Sequence, residues 1–169
     1  GSMRFSAAGK VLSLALIALV GAACSEQAVE TAEFSVPVEY HTLDNGLRVI
    51  VVPTDYPDIV TIQIPVQTGS RNEVEPGKTG FAHFFEHMMF QGSANVADEE
   101  HFKLVSNAGG TLNGSTNSDR TNYYETLPVN QLETALWLEA DRMGFLLEAV
   151  TQEKFEVQRE TVKNERGQR

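Results

Sequence analysis

His83, Glu86 and His87 are the residues of this sequence best suited to chemistry. Successive residues of an α-helix turn by about 100°, so His87 falls about 40° from His83 and Glu86 about 60° to the other side. The three side chains therefore share one stripe. Two imidazoles one turn apart can grip a single metal ion, and a carboxylate beside them can handle the proton of a water on that ion. Phe81, Phe84, Phe85, Met88 and Met89 fall on the rest of the helix, with Phe90 the exception. The bland alternative is a solvated polar stripe. The apolar surround argues against it, because this helix is expected in the core, where a polar triad needs partners or a metal.

A catalytic zinc takes three protein ligands and keeps a position for water. A third ligand must therefore come from elsewhere. His41 precedes a hairpin strand and reads as a surface or edge residue. His101 follows Glu99 and Glu100 at a polar helix start and is expected to be solvated. The last helix offers Glu165. Phe155 falls about 80° and Val162 about 60° from it, so Glu165 shares the apolar side, whereas Glu153, Glu156 and Glu160 point outward. A lone inward carboxylate needs a cation or strong donors. That cation is either a metal shared with the histidines or an arginine such as Arg142 or Arg120.

The elements that must position these groups read as follows. Asp44-Asn45-Gly46 marks a hairpin, with Asn-Gly suited to a type I′ turn. Strands are expected over 47–52, which Pro53 stops, and over 59–67, followed by a charged loop over 69–78. Thr79 or Gly80 opens the helix that carries the histidines, and it ends near Gly92. Asp98 is expected to cap a second helix running to about Ala108, where Gly109-Gly110 stops it. Strands over 111–116 and 121–127 flank the polar turn 117–120. Asn130 is expected to cap a helix whose apolar set is Leu132, Ala135, Leu136, Leu138, Ala140 and Met143. Thr151 caps the last helix. Strand pairs followed by helices imply an α+β fold, a mostly antiparallel sheet with helices packed on one face.

The chain has 169 residues, of which 41% are hydrophobic, enough for one packed domain. The formal net charge is −10, and no Lys/Arg cluster is present, which argues against nucleic acid as a partner. The single cysteine, Cys24, excludes an internal disulfide and a cysteine zinc knuckle. Gly1-Ser2 reads as a cloning remnant ahead of Met3. Arg4 and Lys10 precede an uncharged apolar run over 11–23, shorter than the roughly 20 residues of a membrane helix. The run ends in Gly21-Ala22-Ala23-Cys24, which resembles a bacterial lipobox with Cys24 as the lipidated residue; a plain secretory signal cleaved near Ala23 is the alternative. The expected organisation is a leader over 1–24, a tether over 25–38 and a folded catalytic portion over 39–169. Either leader reading implies export to the bacterial cell envelope.

Four blocks along the chain carry a family resemblance. The first is 80–93, which holds His83, Glu86 and His87 in the order H-x-x-E-H, the reverse of the commoner H-E-x-x-H zinc motif. The second is Gly109-Gly110-Thr111-Leu112-Asn113-Gly114-Ser115-Thr116. The third is Thr121-Asn122-Tyr123-Tyr124. The fourth is Gln158-Arg159-Glu160-Thr161-Val162-Lys163-Asn164-Glu165-Arg166. Together they resemble the M16 metallopeptidases, the family of pitrilysin, insulin-degrading enzyme and mitochondrial processing peptidase, and most of all its short bacterial type.

The resemblance implies one zinc ion per chain, with His83, His87 and Glu165 as its ligands and Glu86 as general base. It implies that Asn113, Gly114, Ser115 and Thr116 form the edge strand that pairs with an extended peptide substrate. Gly114 stands where the family often has Ala, and Gln158 where many members have a second Glu. Family members enclose substrate between two homologous halves, so the resemblance also implies a second M16-like domain or subunit as partner, and little or no activity from this stretch alone. The expected function is a zinc-dependent endopeptidase. A non-catalytic subunit of the same fold, acting in envelope assembly or binding, is the alternative. A purely structural zinc domain would need a fourth protein ligand, and the sequence offers no obvious one.

Overall fold

A computed structural model describes residues 36–168. The expected leader, Cys24 and all of the tether before Val36 lie outside the described residues. The chain divides into two compact units, with the boundary after Thr54. Among the described residues no helix is long and apolar enough to cross a membrane.

The first unit contains a hairpin of β1 (Glu39–Thr42) and β2 (Arg48–Val51), paired antiparallel from Thr42↔Arg48 outward. Its turn is wider than the expected type I′. The Leu43 carbonyl accepts from Gly46 N–H at 2.8 Å, and Leu43 N–H donates to the Leu47 carbonyl at 2.9 Å. Gly46 alone of the turn residues is left-handed, at φ +87°. That is a turn followed by a glycine bulge, which needs one positive φ rather than two. Asn45 contributes its side chain instead, its Oδ1 accepting from Leu47 N–H at 3.0 Å. His41 is exposed here, beside Glu39, as expected.

The second unit is built on a three-stranded antiparallel sheet of β3 (Ile59–Val66), β4 (Thr111–Thr116) and β5 (Thr121–Pro128), in the order β3-β5-β4. β5 is central and mostly buried, and β4 is an edge strand with Gly114 opposite Tyr123. The helices are α1 (Phe81–Met88), α2 (Glu100–Asn107), α3 (Leu132–Ala149) and α4 (Gln152–Gly167). Residues two apart on a strand share a face. Ile64 and Tyr123 pack with Met89, Phe90 and Leu146. Leu112 packs with Val96, Val105 and Leu138. Helix residues thus cover one face of the sheet, the expected α+β arrangement.

Several local expectations change. Asp98 does not cap α2: the N-cap position is Glu99 and carries no side-chain cap, while Glu100 Oε2 accepts from Ala97 N–H, ahead of the helix, at 2.8 Å. Asn130 is absorbed into a 3₁₀ turn over Val129–Gln131, and α3 begins at Leu132. On α3 Ala135 and Leu138 are buried, but Leu136, Ala140 and Met143 are exposed. Their expected places are taken by Glu139, Asp141, Arg142 and Leu146. Apolar periodicity cannot register the charged residues among these: Glu139 pairs with Arg142, and Asp141 accepts from Ser93 and Asn95. Thr151 caps α4 as expected, its hydroxyl accepting from Lys154 N–H at 3.2 Å.

Helix α1 also turns differently from the simple amphipathic reading. Phe81 and Phe85 are 56% and 49% exposed, whereas Glu86 is only 9% exposed. The polar stripe faces inward, and part of the apolar surface faces out.

Candidate metal centre

The centre is formed where α1 meets α4. Glu73 holds the start of α1: its two carboxylate oxygens accept from Gly80 N–H at 2.6 Å and Ala82 N–H at 2.8 Å. A carboxylate there meets both the free N–H groups and the positive end of the helix dipole. Beyond the other end, Lys154 of α4 donates to the Gln91 carbonyl at 2.6 Å. The rings of Phe84 and Phe155 meet edge-on at 5.0 Å between centroids. These contacts bring Glu165, far along α4, over the stripe on α1.

His83 Nε2 and His87 Nε2 lie 3.3 Å apart. Glu165 places Oε2 3.5 Å from His83 Nε2 and Oε1 3.6 Å from His87 Nε2. Zinc bonded to nitrogen and oxygen at about 2.0–2.2 Å in a tetrahedron spaces its ligand atoms by about 3.3–3.6 Å. The observed triangle matches that spacing. It is also wider than most nitrogen–oxygen hydrogen bonds, which run about 2.7–3.2 Å. The three atoms are thus close enough together for one cation to reach all of them. Neither arginine considered for Glu165 fills this place: Arg142 is engaged with Glu139, and the near partners of Glu165 are the two histidines.

Glu86 lies on the same stripe and is seated on β4. The Thr116 hydroxyl donates a short hydrogen bond to Glu86 Oε2. Thr116 Oγ1 is also 3.3 Å from Thr121 Oγ1, and Thr121 donates to the Thr68 carbonyl at 2.9 Å. Gly114 completes the seat. A Cβ there would stand 3.0 Å from Glu86 Oε1 and 3.1 Å from both Glu86 Cγ and a ring carbon of Phe90. An alanine there would require the Glu86 and Phe90 side chains to shift by a few tenths of an ångström.

Of the four edge-strand residues, Gly114 and Thr116 turn toward Glu86, whereas Asn113 and Ser115 are exposed on alternate positions. Asn113 Oδ1 accepts from Gly114 N–H at 2.8 Å. The sequence implies only a backbone role for Thr116. It assigns no function to Gln158, although Gln158 lies two turns before Glu165 on the same helix face. Its Oε1 is 3.2 Å from His87 Nδ1.

A second group of possible ligands lies elsewhere in this unit. His101, expected to be solvated, is 5% exposed and clusters with buried Glu125 and Glu139. The correction has a simple cause: α2 lays His101 over the sheet, where its Nε2 stands 3.6 Å from Glu125 Oε2. Arg142 already holds Glu139 with two parallel bonds, at 2.9 Å and 2.6 Å. Its guanidinium also lies over the Tyr123 ring at 4.7 Å. Burial pushes the Glu139 carboxyl above its ordinary range while Arg142 pulls it back. A divalent ion added there would sit beside a buried guanidinium. Within this group only Glu139 and Arg142 are hydrogen-bonded; His101 Nε2 and both carboxylate oxygens of Glu125 are buried without a hydrogen-bond partner among the described residues.

A family model described as Insulinase (Peptidase family M16) matches residues 48–168. The chain is 34% identical over 156 residues to the zinc protease PqqE of Helicobacter pylori, covering 92% of this chain and 33% of that protein. It is 34% identical over 101 residues to the insulin-degrading enzyme of Bos taurus, covering 58% of this chain and 10% of that protein. The crystal structure of a protease from Helicobacter pylori superposes with a TM-score of 0.73 at 36% identity, over 78% of this chain and 31% of the other. The chain thus spans about a third of the length of these two Helicobacter pylori proteins and a tenth of the insulin-degrading enzyme.

Proposed function

Because this chain belongs to the M16, or insulinase, family of peptidases, we propose that it carries the metal-bearing part of a zinc-dependent endopeptidase that hydrolyses extended peptides. The observation that carries the reading is the triangle of His83 Nε2, His87 Nε2 and a Glu165 carboxylate, with sides of 3.3, 3.5 and 3.6 Å. These three residues would hold one zinc ion. Bound there, zinc would supply a Lewis acid that polarises a peptide carbonyl and makes water acidic enough to attack at neutral pH.

The protein's own groups do the rest. Glu86 is the general base: it accepts the proton of the attacking water and returns it to the departing amine nitrogen. Thr116 holds Oε2 of that carboxylate and so anchors the base beside the edge strand. The open edge of β4 receives the peptide as an added strand through Asn113, Gly114, Ser115 and Thr116, a mode that reads backbone more than side chain. A second M16-like domain or subunit would close over the peptide; the greater length of the relatives supports this. The leader-like sequence over 1–24 supports export to the bacterial envelope, with Cys24 as the lipid attachment point.

Elemental analysis of wild type, His87→Ala and Glu86→Gln, alongside cleavage of a quenched peptide, tests the proposal. We expect about one zinc per chain in wild type and Glu86→Gln, none in His87→Ala, and no cleavage by Glu86→Gln. Zinc without cleavage by wild type would mean that the second half is required, or that the chain serves a binding role. Absence of zinc from all three would sink the metallopeptidase reading.

A further inference from the structure

The two imidazoles of the centre present the same nitrogen, Nε2, to one point. An imidazole can offer a lone pair at Nε2 only if its proton sits on Nδ1, and the partner of Nδ1 decides which tautomer is held. For His87 that partner is Gln158. Its Nδ1 lies 3.2 Å from Gln158 Oε1, a side chain brought from α4 across the helix interface. Both residues are partly buried, so water competes weakly for the bond.

We infer that Gln158 is a positioning residue for the metal centre: its carbonyl oxygen accepts the Nδ1 proton of His87, fixes the ring's tautomer and aim, and so sets the strength of the zinc site. This rests on the zinc reading above. Gln158 touches neither the ion nor a substrate; it acts through His87.

The chemistry of an amide gives the inference a direction. A carboxylate in the same place would accept the proton through a charge-assisted bond roughly twice as strong as a neutral one. It would leave more electron density on Nε2 and add a negative charge near the cation. With a neutral amide the ring is oriented but only mildly polarised. The site is therefore held below the affinity its geometry would allow. Removing the acceptor should weaken the site, and charging it should strengthen it.

The test is zinc affinity of the chain by competition with a chromophoric chelator, for wild type, Gln158→Leu and Gln158→Glu. Outer partners of metal ligands are typically worth about 10–100-fold in affinity. We expect Gln158→Leu to weaken zinc by about tenfold or more and Gln158→Glu to tighten it by roughly tenfold. A gain of affinity cannot come from a damaged fold, so the second variant guards against that explanation of the first. Nitrogen-15 spectra supply an independent readout: the protected Nδ1 proton of His87 should be visible in wild type and lost in Gln158→Leu. Unchanged affinity in both variants, with zinc still bound by wild type, would overturn the role of Gln158 alone. Failure of wild type to bind zinc would overturn the metal reading itself.

Discussion

The Thr116 hydroxyl donates to Glu86 Oε2, joining the edge strand to the helix that carries both histidines. One carboxylate oxygen is thereby held by the edge strand, and the other, Oε1, lies close to Gly114 of the same strand. Thr116 donates its one hydroxyl proton to Glu86 and Thr121 donates its own to the Thr68 carbonyl, so the 3.3 Å approach of the two hydroxyls carries no further bond and Thr116 alone holds the carboxylate. Thr116→Val keeps the side-chain shape and deletes the hydroxyl. A hydrogen bond to a charged group is worth about 1.5–3 kcal/mol. The expected result is a fall in kcat of at least about tenfold in a cleaving preparation, with zinc content unchanged and KM little altered. Thr116→Ser should restore most of the loss. Equal loss in the Ser and Val variants would argue for packing instead.

Glu73 fastens the start of α1 through two backbone N–H groups. Glu73→Ala leaves them without that partner, and capping losses cost about 0.5–2 kcal/mol. Chemical denaturation should show a destabilisation of that size. Because α1 bears His83 and His87, zinc affinity should drop in the same variant, although Glu73 is not a ligand.

The pair of Glu139 and Arg142 predicts a pH dependence. Burial raises the Glu139 carboxyl above its ordinary value of 4.5, against the pull of Arg142. The folded state then holds this proton more tightly than the unfolded state does. The group's contribution to stability is greatest at low pH and declines as pH rises through the interval above 4.5. Glu139→Gln should flatten that part of the stability profile, as read from urea midpoints across pH. Arg142→Met should be far more harmful. Leaving a buried charge unpaired costs about 3–5 kcal/mol.

Metal removal should loosen the junction of α1 and α4. A ligand at 100 times its dissociation constant stabilises the state that binds it by about 2.7 kcal/mol. Zinc at that excess should therefore raise the melting temperature of wild type, and chelation should reverse the gain. His83→Ala should show no response to either. A full zinc-dependent shift in that variant would assign the metal to another place.

What the sequence made legible followed from regular spacing. The helix that carries His83 and His87 and the strands over 111–116 and 121–127 are consequences of helix and strand periods, and they form as expected; Glu165 comes within 3.5–3.6 Å of both histidines, yet its side chain is as exposed as that of Glu156. Three things did not follow. His101 looked solvated because its helix begins with two glutamates, yet the helix lays it against Glu125. On α3, half of the expected apolar face is exposed while Glu139 and Arg142 are buried, because a matched pair of charges can replace hydrophobes in a core. The partnerships of Thr116 with Glu86 and of Gln158 with His87 span 30 and 71 residues of sequence. Local pattern carries no information about contacts at that separation.

The alternation of β4 has one more consequence. Gly114 and Thr116 turn to the helix side, Asn113 and Ser115 to the other. A peptide laid along this edge would inherit the same pleat. Every second side chain of the guest would meet Glu86 and its neighbours, and those between would be ignored. A slip by one residue would exchange the two sets entirely. Cleavage patterns should therefore carry a two-residue rhythm, a grammar of alternate positions rather than a preference at a single one.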